Sequence, residues 1–89
     1  MPVLRLVTFA VHTVTLEPGG SLPYRESDWR GALVTVDSGE LELVTLCGRS
    51  TFFQRGDLVW LQGLPLATLH NRGDEPTVLV AAARDRELR

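Results

Sequence analysis

The stretch that decides the fold is GALVTVDSGELELV, residues 31–44. Ala32 to Val36 is rich in branched apolar residues and reads as a strand. Asp37-Ser38-Gly39 reads as a tight hairpin turn, with Glu40 to Leu46 returning beside the first strand. In the returning strand Leu41 and Leu43 are expected to face one way, and Glu40 and Glu42 the other. That is the alternation of a sheet with one dry face.

The period of two continues outward in both directions. Upstream, residues 3–17 are rich in Val, Leu, Thr and Phe. The run is too long for one typical strand, so a bend is expected near Phe9–Ala10. Pro18-Gly19-Gly20 ends it in a turn. Ser21 to Arg25 reads as a short extended piece, and Glu26 to Arg30 as a polar loop holding Trp29. Downstream come strands at Ser50 to Phe53 and Leu58 to Leu61, set apart by turns at Gly48-Arg49 and Arg55-Gly56-Asp57. Beyond Gly63 and Pro65, Ala67 to His70 and Thr77 to Ala83 read as a second hairpin around Asn71-Arg72-Gly73-Asp74. About eight strands and no helix are expected. Turns recurring roughly every 6 to 12 positions mark a sandwich or barrel.

A chain of 89 residues has room for one core, so residues 1–89 are read as a single domain, with 85–89 a charged, fraying tail. Apolar residues at 44% and charged residues at 22% place it among globular chains. The net charge of −2 gives no pull toward nucleic acid or anionic lipid. No apolar run is long enough to span a membrane, and Arg5 interrupts any leader-like segment. The one cysteine, Cys47, cannot pair within the chain, which suits a reducing, cytoplasmic setting. It is read as structural or incidental.

Three segments together resemble the cupin superfamily. LEPGGSLPYRESDW, residues 16–29, is similar to the approach to the first cupin motif. GALVTVDSGELEL, residues 31–43, is similar to the end of that motif, with Gly39 as its glycine. FQRGDLVWLQGLPLATLHNRGDEPTVLVAA, residues 53–82, is similar to the second motif and the strand after it. The resemblance covers residues 15–84. It implies an all-β, single-domain jelly-roll (double-stranded β-helix) barrel.

The departures bear on chemistry. Cupins with a metal carry two histidines one residue apart, then a glutamate, and a third histidine in the second motif. Tyr24 and Glu26 stand at the first two positions, Ala32 at or near the third, and Leu66 or Ala67 at the last. A divalent ion needs three or four converging ligands. The only histidines, His12 and His70, match none of the slots. No metal and no cofactor are expected.

Acid–base chemistry remains conceivable without one. Tyr24 and Glu26 would share a side if their segment is extended, and burial would raise the carboxyl pKa. His70, at a strand end, is the third candidate. His12 is read as outward or interfacial, and Asp57 and Asp74 as structural. Tyr24, Trp29, Trp60 and His70 are the candidate ligand-binding residues; Trp29 reads as a lid or a dimer anchor. Three roles stay open. One is a metal-free module that binds a small, largely apolar or mixed-polarity ligand, senses, or dimerises. Another is a metal-independent isomerase, epimerase or cyclase using Glu26, His70 and Tyr24. The last is a structural or protein-interaction domain. A homodimer is expected, because the small core and the edge strands invite pairing across subunits.

Overall fold

The computed structural model describes residues 9–84. The expected strand start near Val3 and the tail 85–89 lie outside them. The described residues form eight strands and one short helix: β1 Phe9–Leu16, β2 Ser21–Pro23, α1 Glu26–Trp29, β3 Ala32–Ser38, β4 Glu40–Thr45, β5 Ser50–Gln54, β6 Leu58–Trp60, β7 Leu66–His70 and β8 Thr77–Arg84. Strand bounds agree with the sequence reading to within one or two residues wherever both can be compared. The polar loop at Glu26 to Arg30 is instead the single helical turn α1, which swings Trp29 into the core. No helix among the described residues is long and apolar enough to cross a membrane.

The strands form two antiparallel sheets, ordered β1-β8-β3-β6 and β2-β7-β4-β5. Neither sheet closes on itself, so the expected closed barrel is corrected to two open sheets facing each other. Closure would require β1 to bond β2 and β5 to bond β6. The turns between those strands instead carry the chain from one sheet to the other. Of the strands that would have to make those seams, β2 and β6 have three residues each, and β2 ends in Pro23, which has no N–H to donate.

The two expected hairpins are also corrected. β3 and β4 lie in different sheets, as do β7 and β8. The one hairpin between consecutive strands is β4–β5, with Glu40 opposite Gln54 and Val44 opposite Ser50. The cause is a corner at Gly39. Its φ is +79°, and a Cβ there would lie 2.5 Å from the Pro76 carbonyl oxygen and 2.7 Å from the Thr77 Cα. The backbone of β8 therefore packs directly on the turn. Thr77, fully buried, accepts from the Glu40 N–H at 3.2 Å and donates to the Glu40 carbonyl.

Asn71 locks the same end. Its buried amide donates to the carbonyls of Leu16 at 3.0 Å and Glu75 at 2.7 Å, and accepts from the Gly73 N–H at 2.9 Å. Its backbone pairs with Gly19 and Gly20. One side chain thus joins the β1–β2 and β7–β8 crossings, with its polar groups satisfied. Between the sheets, Val34, Val36 and Leu79 pack against Leu41, Leu43 and Leu69.

Gly39→Ala is expected to cost roughly 3–5 kcal/mol, from left-handed strain plus the clash with Pro76. Gly48→Ala, at a similar φ but in open space, should cost only about 1–2 kcal/mol. Urea unfolding of both variants checks the difference; equal losses would contradict the close approach.

Candidate functional site

An open hollow of about 250 Å³ lies against the inner face of the β2-β7-β4-β5 sheet, at the end away from Gly39 and Asn71. Strand alternation builds it. Leu43 on β4 and Thr51 and Phe53 on β5 face inward, and Leu64, Pro65 and Leu66 close it from the β6–β7 connection, with Thr45 completing the lining. Five of the seven lining side chains are hydrocarbon, and the two threonines carry the only polar atoms among them. A second hollow, of about 350 Å³, sits at the edge of β5 and is lined by Glu40, Phe52, Phe53 and Gln54.

The candidate residues are distributed as follows. Leu22 pairs with Leu69 in the core, so Tyr24, two residues on, also faces inward. Its hydroxyl is buried without a hydrogen-bond partner among the described residues, and Tyr24 does not line the hollow. Burial, and then the charge of Glu26, raise the Tyr24 phenol pKa above its ordinary value. Glu26 is exposed on α1. Trp29 is 2% exposed and plugs the core beneath β1, its ring 6.1 Å from that of His12. Trp60 faces out to solvent. His70 pairs with Ser21 and so faces the outer side of its sheet. The structure therefore does not bring Tyr24, Glu26 and His70 together. Cys47 is exposed in the β4–β5 turn.

His70 has a different carboxylate partner, Glu42. The two are cross-strand neighbours, and His70 Nδ1 lies 2.8 Å from the Glu42 carboxylate. Ser50 donates to the other oxygen at 2.6 Å, and Arg72 donates to it at 3.0 Å while lying over the Phe52 ring. The outward-facing Glu42, expected in solvent, is therefore only 2% exposed. Hydrogen bonds from His70 and Ser50, and then the Arg72 charge, outweigh burial and hold its carboxyl below the usual range. The cluster was hidden in the sequence because Glu42 was paired there with β3, whereas its neighbours are β5 and β7.

The positions that match the metal ligands of cupins do not fit a cation. Ala32 and Leu66 or Ala67 offer only carbon, Glu26 stands in solvent, and Tyr24 alone of these positions turns an oxygen inward. Among the described residues, no group of three His, Cys, Asp or Glu side chains could hold a metal ion.

No family model matches the sequence, and no curated protein does. Solved structures do match. A Cupin 2 conserved barrel domain protein from Salinispora arenicola superposes with a TM-score of 0.72 at 24% identity, over 97% of this chain and 71% of that one. A cupin domain from Bordetella pertussis gives 0.63 at 18% identity, over 93% and 86%. These likenesses are of fold: the two facing sheets have the arrangement of cupin domains. A third cupin, a sugar phosphate isomerase from Silicibacter pomeroyi, is 32% identical with a TM-score of 0.57. The match covers 86% of this chain but only 51% of that one.

Glu42 also sets an acid dependence. Because its folded pKa lies below 4.5, its stabilisation is present above that value and is lost as pH falls through the lower folded one. Glu42→Gln should remove this component and cost about 1–3 kcal/mol at neutral pH, since His70 and Arg72 keep access to water. Urea midpoints from pH 7 to about pH 3 check this. A variant that loses stability with acid as steeply as the wild type would show that the pH dependence has another source.

Proposed function

We propose that this cupin-like chain binds a small, largely apolar molecule in the hollow on the inner face of its β2-β7-β4-β5 sheet and needs no metal to do so. The observation that carries the reading is the apolar hollow walled by β4, β5 and the β6–β7 connection. Leu66, one of the two positions where the resemblance set a metal-binding histidine, helps to line an apolar space. Apolar surfaces around a few polar atoms are the usual form of small-molecule sites. The hydroxyls of Thr45 and Thr51 are the polar contacts available for orientation.

The acid–base reading finds less support. Its three residues sit on α1 and on opposite faces of one sheet. The sugar phosphate isomerase does not lend its substrate class either. A phosphorylated sugar is anionic and hydroxyl-rich, and no cationic side chain lines this cavity. The single cysteine, without a partner in the chain, favours a reducing compartment such as the cytoplasm.

Indole and benzyl alcohol are suitable probes of this size and polarity. At about five times its Kd, a probe that prefers the native state adds about 1 kcal/mol and raises Tm by about 4–8 °C. Amide shifts should centre on Leu43, Thr51 and Leu66. Thr51→Phe, which fills the space from an edge strand, should abolish both effects. Probes that leave Tm and these amides unmoved would defeat the proposal.

A further inference from the structure

β5 is an outermost strand of the β2-β7-β4-β5 sheet, and residues 50–54 hold no charge and no proline to keep another strand away. Register assigns its backbone groups. The Thr45 N–H donates to the Arg49 carbonyl at 2.8 Å, and bonds between β4 and β5 recur at every second residue from there. Thr51 and Phe53 therefore turn their N–H and C=O groups toward β4, while Ser50 and Phe52 turn theirs to the open edge. Among the described residues the backbone groups of Ser50 and Phe52 meet no partner. At Gln54 the edge is closed: its N–H donates to the Asp57 carboxylate at 2.9 Å, and its carbonyl accepts from the Asp57 N–H at 2.9 Å.

The same strand divides the two hollows. Thr51 and Phe53 line the 250 Å³ hollow on the inner face. Phe52 and Gln54, with Glu40 across from Gln54, border the 350 Å³ hollow on the outer face. Arg72 lies over the Phe52 ring, but its charge is met by Glu42 at 3.0 Å. Glu40 has no ion-pair partner among the described residues.

We propose that the β5 edge docks an extended peptide of alternating apolar and basic residues, added to the sheet as a fifth strand. A residue opposite Phe52 exchanges both backbone bonds with it and sets its side chain on the outer face. There a lysine stem lies along the Phe52 ring, and its ammonium reaches toward Glu40. The residues before and after it stand opposite Thr51 and Phe53 and point to the inner hollow, which takes apolar side chains. Main-chain bonds then supply affinity, and the alternate side chains supply selectivity. Charge complementarity favours such a peptide over a second copy of this chain. β5 carries no cation, so a copy paired through the same edge would leave Glu40 unanswered. The proposal rests on the reading that the inner hollow takes an apolar group, and it names a peptide as the carrier of that group.

The probe is a blocked pentapeptide of alternating valine and lysine that begins and ends with valine. Added to the wild type at up to about 1 mM, it should slow hydrogen exchange at the Ser50 and Phe52 amides. The amides of Thr51 and Phe53, already bonded to β4, should not respond. N-methylating both lysine backbone nitrogens removes the donated bonds and should weaken binding roughly tenfold or more. Alanine in place of the valines should cost about tenfold. Glutamate in place of the lysines should also weaken binding, and Glu40→Gln should narrow that difference. Absence of protection at Ser50 and Phe52 overturns the proposal, as does equal affinity for the N-methylated peptide. So does light scattering that shows the peptide splitting a dimer already joined through β5. Indole binding without peptide binding overturns the peptide assignment and leaves the small-molecule reading standing; failure of both probes defeats both.

Discussion

The close approach of β8 to Gly39 is the constraint on which the rest of the structure rests. A side chain at residue 39 would occupy the space of the Pro76 carbonyl and the Thr77 Cα. Because glycine leaves that space empty, the chain can leave one sheet and enter the other within a single residue. Thr77 then serves the backbone that β4 would otherwise leave unbonded. Asn71 does the same for the neighbouring crossings. The hollow lined by Leu43, Phe53 and Leu66 lies at the far end of the same strands. Rigidity and openness sit at opposite ends of the same strands.

The sequence revealed the strands but not their partners. Alternation and turn residues placed β3 through β8 well, because side-chain period is local information. Asp37-Ser38-Gly39 looks the same in a hairpin and in a corner between sheets; only the contact with Thr77, 38 residues away, tells them apart. The same gap hid the Glu42–His70–Arg72 cluster. Glu42 alternates with leucines as a solvent-facing residue should, and it does face outward. What buries it is a histidine and an arginine beyond β6. Trp29 was legible as unusual in a polar segment, but its place in the core depended on a helical turn too short to show periodicity.

The positions matched to metal ligands illustrate how a fold can keep its frame while its interior changes character. Ala32 and Leu66 sit on the inward side of their strands, and both are buried. What they present is hydrocarbon, so the interior rewards burial of apolar surface rather than coordination. The ionisable groups that do meet, Glu42, His70 and Arg72, lie on the opposite side of the sheet, outside that interior.

The strand pairing has a further consequence for how the chain assembles. Pairs β4–β5, β3–β6, β2–β7 and β1–β8 are nested one inside the next. Only the innermost joins neighbours in sequence. Once that ribbon has formed, each later pair closes a short gap rather than the full span of chain between its members, so the entropy of each closure stays small. A topology of mostly distant partners thus carries its own zipper, which starts at the turn around Gly48 and ends with the pair β1–β8.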